Sequence, residues 1–154
     1  MGSVLPVSLL LLTARLLAPA PLKNPALQHL PLTVLPDTLA YCLLPAGAPV
    51  PAWAAEGKGP RVVVEFLDER SVLTSAASAP ASADCVRDFR PIRLDPLSDD
   101  ITGVIATLSG VLARANVSIY VVSTRTTDYF LVHSPDLTRA VDALRKAGHR
   151  VKAE

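Results

Sequence analysis

The sequence predicts an α+β fold in the order strand, helix, strand, strand, helix, strand, and three features near the C-terminal end carry that prediction. The first is an amphipathic helix that starts near Gly103 and ends in an Asn turn. The second is a pair of β-branched and aromatic runs, Val117 to Ser123 and Tyr129 to Val132, joined by a small polar stretch from Ser123 to Asp128. The third is Ser134-Pro135-Asp136, a helix-start signal answered by a helix-stop at Gly148.

Each element follows from local chemistry. Phe89-Arg90-Pro91-Ile92-Arg93-Leu94 alternates in part and reads as the first strand, with Asp95 to Asp100 as the loop into the helix. Val104, Ile105, Leu108, Val111, Leu112 and Ala115 recur with a 3.6-residue period and form one apolar stripe, with Thr102 as the expected cap and Asn116 as the left-handed stop. The two β-branched runs then form a hairpin. At the second helix a hydroxyl caps free amides, Pro135 sits where its missing N–H costs nothing, and Asp136 faces the positive helix end. Leu137, Ala140, Val141 and Leu144 face inward, Arg145 and Lys146 complement the negative end, and His149-Arg150-Val151 is the closing strand. This order is the ferredoxin-like arrangement, with two helices over one face of an antiparallel sheet.

Four separated runs carry a family resemblance: Gly103-Val104-Ile105-Ala106, Leu112 to Ile119, Ser123 to Val132, and Ala143 to His149. In this order and spacing they resemble the ACT domain. More narrowly, they are similar to the two-lobed bacterial and fungal ACT proteins and to the cytosolic arginine sensors of animals. The likeness is dense over about residues 89 to 151. A weaker echo lies upstream, where Leu30 to Pro36 and Leu39 to Leu44 resemble two opening strands and Val50-Pro51-Ala52-Trp53-Ala54 a short Trp-bearing turn. Arg61 to Leu67 and Ser71 to Thr74 are the remaining strands of a degenerate ACT-like lobe. The expected organisation is an apolar N-terminal extension over 1–28, this lobe over 29–74, an Ala/Ser/Pro linker over 75–88 and the ACT domain over 89–154. The linker reading rests on SAASAPASA, whose apolar surface is too small to offset the entropy of ordering.

Composition excludes several classes. The 154 residues are 50% hydrophobic, enough for a core, and 15 basic against 14 acidic residues give a net charge of +1. With no basic face and no paired aromatics on a strand, nucleic acid is not an expected partner. Cys42 and Cys85 make no disulfide framework. Cys42 reads as a small buried hydrophobe and Cys85 as a residue near a loop. With only His29, His133 and His149 beside them, no metal site is expected, and no cofactor. Val4 to Leu17 is apolar around Arg15 and has three readings: a secretory signal lacking a basic start, an organellar presequence, or an extension the fold does not use. Pro6 and Pro19 break it too early for a membrane span. A cytoplasmic location is expected, with targeting left open by that extension.

The resemblance implies that ligands sit at the loop between the first strand and first helix, against a neighbouring domain. The residues supply a reason. Free amides and the positive dipole at Thr102, Gly103, Val104 and Ile105 suit a carboxylate, and Gly103 allows close approach. Asp128 suits an ammonium or guanidinium, with hydroxyls from Thr124, Thr126 and Thr127. In the related arginine sensors, the positions of Gly103, Val104, Thr124, Arg125 and Asp128 belong to the pocket. Arg125 departs, because the family usually has an uncharged residue there, and a cation repels an arginine side chain. Each residue also has a plainer reading: Gly103 as a packing contact, Asp128 as a tie within its hairpin, Arg125 as a solvated loop residue, Trp53 as core. No nucleophile elbow, phosphate loop or carboxylate pair is present, and Asp128 and His133, five apart on a strand, point to opposite faces. The expected function is non-catalytic binding of a small ligand, most simply an amino acid, by a homodimeric sensor or regulatory protein acting on a regulated protein partner. The alternative is an ACT-like interaction or dimerisation module without a ligand.

Overall fold

The computed structural model describes residues 24–57, 59–97 and 101–154; the extension before Asn24 and the loop residues 98–100 lie outside these. Eight strands form one sheet: β1 Pro31–Val34, β2 Leu39–Leu44, β3 Val62–Phe66, β4 Glu69–Ser75, β5 Cys85–Leu94, β6 Ile119–Ser123, β7 Asp128–His133 and β8 Arg150–Ala153. The helices are α1 Ala52–Ala55, α2 Val104–Arg114 and α3 Leu137–Lys146, the last preceded by a 3₁₀ turn at Ser134–Asp136. The elements β5, α2, β6, β7, α3 and β8 reproduce the predicted order.

One strand organises the sheet. Along one edge β5 pairs with β7, from Phe89↔His133 to Arg93↔Tyr129. Along the other, its first half pairs with β2 and its second half with β1. Pro91 is tolerated in this central strand because its carbonyl points to the β1–β2 edge, where it accepts from the Leu35 amide at 3.0 Å. Its ring nitrogen points the same way, so the ladder to β7 loses nothing. The closing strand β8 does not touch β5. It runs parallel to β1, which is inserted between them. Thr33 of β1 donates to Asp95 Oδ1 at 2.7 Å, and Arg93 and Lys152 reach the same carboxylate at 3.2 and 3.4 Å. Burial works against ionisation of Asp95, but these donors outweigh it and hold its pKa below the ordinary value.

Alternation then separates two apolar layers. Leu32, Val34, Ile92, Leu94, Phe130 and Val132 meet Val104, Leu108, Val111 and Leu112 of α2 and Ala140 and Leu144 of α3. On the opposite face Leu39, Leu73, Phe89 and Leu131 pack with Val62, Val122 and Tyr129, so the β2–β3–β4 arm folds across the hairpin β6–β7. Within the segment expected as a linker, residues 85–88 are the start of β5 and Ala79 is buried.

Several local expectations change. Ile105 is 41% exposed and leaves the core stripe. The cap of α2 is Gly103 at φ 96°, not the Thr102 side chain. Asn116 at φ 54° and Gly148 at φ 94° do end their helices. Ser134 does not cap α3, because its hydroxyl donates to Asp88 O at 3.0 Å, while Asp136 pairs with Arg139 at 2.6 Å. Cys42 and Cys85, expected as separate thiols, are a disulfide between register partners of β2 and β5. The spacing of 43 residues hid the pairing, since only the sheet brings the two together.

Closing a loop of that length restricts the unfolded chain, so reduction with a phosphine should lower stability by about 2–4 kcal/mol. Urea melts with and without reductant read this, and equal midpoints exclude the bond as a staple. His149 is buried, and desolvation followed by the charge of His29 depresses its pKa below 6.5. The unfolded state thus binds the proton first, and stability falls as pH drops below 6.5. Melting temperatures at pH 7.5 and 5.5 should show this fall, and His149→Leu should reduce it.

Candidate functional site

A cleft of about 780 Å³ lies between the start of α2 and the β6–β7 loop. Gly103, Val104, Thr124, Arg125, Thr127 and Asp128 all line it, whereas Thr102 is exposed and outside the lining. Residues about twenty apart in sequence therefore meet across one opening. The first intrahelical bond from this end is Thr107 N to Gly103 O at 2.9 Å, which leaves the amides of Val104 to Ala106 without helical acceptors. These amides and the positive end of the dipole are the anion-attracting side of the cleft.

The opposite wall is a tightly bonded hairpin loop. Thr124 N donates to Thr127 O at 2.8 Å, and the Thr124 hydroxyl both donates to Thr127 O and accepts from Thr127 N. The Thr127 hydroxyl donates to Leu94 O, tying the loop to the end of β5. Asp128 is half-buried and accepts from Ser123 Oγ at 2.6 Å through Oδ1. The plainer reading of Asp128 as a hairpin tie is therefore real for one oxygen, and the residue still faces the cleft. Arg125 is exposed at the tip and also lines the cleft.

Sequence reading missed part of the wall: Ala106 and Ser109, which join Ile105 on the flank of α2, and Leu94 and Leu97, which join Ile101 in an apolar floor. The signal for the helical residues was present: 105, 106 and 109 share the face beside the core stripe. Asp95 next to Leu94 is committed to the β1–β5–β8 junction. Among the described residues no group of three or more His, Cys, Asp or Glu is placed to hold a metal, and no helix is long and apolar enough to cross a membrane.

A βαββαβ unit with both helices on one sheet face, opening a cleft at its first helix, is the ACT-like fold. Residues 85–146 match the family model for the ACT domain. Among solved structures, an Agrobacterium tumefaciens protein is 28% identical with a TM-score of 0.76, covering 82% of this chain and 94% of its own. A Vibrio cholerae protein of unknown function, described as a possible transport protein, is 17% identical with a TM-score of 0.67, covering 79% of this chain and 92% of its own. The regulatory subunit of aspartate kinase from Thermus flavus is 12% identical with a TM-score of 0.53, covering 75% of this chain and 95% of its own. The last two show the shared fold. No curated protein matches.

The backbone at Gly103 gives a test of the cleft's construction. Any L side chain at φ 96° is strained, so Gly103→Ala should cost about 1–2 kcal/mol. Gly103→Asn should cost less, because Asn tolerates that region. Denaturant midpoints of the two variants check the order, and equal losses would remove backbone strain as the reason for glycine.

Proposed function

We propose that the chain is a non-catalytic regulatory or sensor protein whose cleft binds an amino acid. The observation that carries the reading is the placement of the first-turn α2 amides, which no helical carbonyl uses, opposite Asp128 across one accessible opening. A zwitterion spans that opening with its carboxylate on the amides of Val104 to Ala106 and its ammonium on Asp128. Thr124 and Thr127 fix the loop, and the apolar floor of Leu94, Leu97 and Ile101 receives the ligand's carbon chain. The ACT-domain match over 85–146 and the similarity to an aspartate kinase regulatory subunit support a regulatory role.

The narrower likeness to arginine sensors rests on sequence motifs, and Arg125 argues against arginine as the ligand. A guanidinium side chain would meet a like charge in the same cleft. Neutral or acidic amino acids avoid this. The cleft is open to solvent, which suits completion by a second copy of the chain, and a homodimer is part of the proposal. An interaction module does not need an opening lined by both helix amides and a carboxylate, so ligand binding is the favoured reading.

A thermal-shift series of the full chain against the standard amino acids tests it. A ligand at about a hundred times its dissociation constant adds roughly 2.7 kcal/mol, or about 5–10 °C for a chain of this size. One amino acid should give a selective shift that Asp128→Ala abolishes. A flat series from folded protein would favour the interaction module, and a shift retained by Asp128→Ala would move the ligand elsewhere.

A further inference from the structure

The cleft carries more positive charge than a simple zwitterion uses. Among the described residues that line it, the only charged side chains are Arg125 and Asp128, and the first turn of α2 adds the positive end of the helix dipole. An amino acid held as proposed above matches its ammonium to Asp128 and its carboxylate to the amides. Arg125 is then left in the cleft wall without a counter-charge. Other arginines are already engaged: Arg70 with Glu65 at 2.7 Å, Arg93 with Asp95 at 3.2 Å and Arg139 with Asp136 at 2.6 Å. Among the described residues no carboxylate lies within ion-pair distance of Arg125, and that includes Asp128 of its own loop.

The hairpin loop fixes the backbone that carries this cation. Arg125 and Thr126 are the tip of the turn closed by the Thr124–Thr127 bonds, and the Thr127 hydroxyl ties that turn to Leu94 O at the cleft floor. Asp128 stands at the base of the same loop, the register partner of Ser123. One wall thus offers both a carboxylate and a guanidinium, and the facing wall offers amides. The ligand that answers all three groups has one ammonium and two carboxylates. Given the cleft as the amino-acid site proposed above, on which the assignment rests, we propose that it selects an acidic amino acid, aspartate or glutamate, and that Arg125 takes the side-chain carboxylate. The planar fork of guanidinium donors suits a carboxylate in particular. Because Arg125 is exposed, the pair is solvated, and its effect is a modest preference rather than the main source of affinity. Glutamine and asparagine bring a neutral group to the same cation, and a lysine or arginine side chain brings a like charge.

Calorimetric titration of the full chain with glutamate, aspartate, glutamine, asparagine and lysine at neutral pH tests the assignment. Glutamate or aspartate should bind about fivefold more tightly than its own amide, the scale of an exposed charge pair. Arg125→Met should bring that ratio to about one, since the preference is a difference between a charged and a neutral partner. Arg125→Lys, which keeps the charge, should retain a preference for the acid. Asp128→Ala should abolish binding of acid and amide alike. Tighter binding of an amide or of lysine to the unaltered chain, lost in Asp128→Ala, keeps the amino-acid site and overturns selection by Arg125. An acid preference that survives Arg125→Met overturns it equally. Absence of binding by all five at about 10 mM also overturns it, whereas the site itself falls only with a flat thermal-shift series across the standard amino acids.

Discussion

Everything in this structure depends on the double pairing of β5. A ten-residue strand gives one edge to β7 and divides the other between β2 and β1. The N-terminal and C-terminal halves of the chain therefore share a ladder rather than a boundary. Insertion of β1 between β5 and β8 strengthens this, because the last strand of the βαββαβ unit has no direct bond to its first. The Thr33, Arg93 and Lys152 donors on Asp95 lock the three strands at the point where β5 ends and the chain turns toward α2. A depressed carboxylate pKa there means that the junction holds its charge through the neutral range and weakens only in acid, below the ordinary value of 3.8.

That junction also fixes the cleft. Leu94 is the last residue of β5, a buried member of the helix-side core and the acceptor for the Thr127 hydroxyl. Both walls are thus referred to one strand end: the helix start follows it in sequence, and the hairpin loop is hydrogen-bonded to it. Preorganisation of this kind reduces the entropy lost when a ligand orders its site. The half-buried position of Asp128, bonded through one oxygen to Ser123, has the same effect, since the carboxylate keeps its orientation before any ligand arrives.

Periodicity made the C-terminal half legible. Val104, Leu108, Val111 and Leu112 occupy the core as their spacing required, and Asn116 and Gly148 take the positive φ their residue types favour. The cleft residues were legible because a glycine before an apolar helix and an acid after a threonine-rich loop each have a local meaning. Less could be read where the answer is nonlocal. The stripe rule placed Ile105 inside, but the residue is 41% exposed and lines the cleft. Ser134 looked like a cap, yet Asp88 O competes for its hydroxyl. The insertion of β1 and the Cys42–Cys85 bond depend on pairing choices between segments from 43 to 119 residues apart, which no local pattern encodes.

The β6–β7 hairpin loop separates two recesses of opposite character. Its outer side, with Arg125, Thr126 and Asp128, belongs to the polar cleft, and Thr124 also lines the apolar seam under β3. The Thr124–Thr127 bonds hold the loop in one shape between the two, so the wall that faces the cleft and the wall that faces the seam are set by the same few hydrogen bonds. The disulfide bears on the same element from behind. By joining β2 to β5 it ties the arm that carries Leu73 and, through β4, Val62 to the strand that the hairpin pairs with.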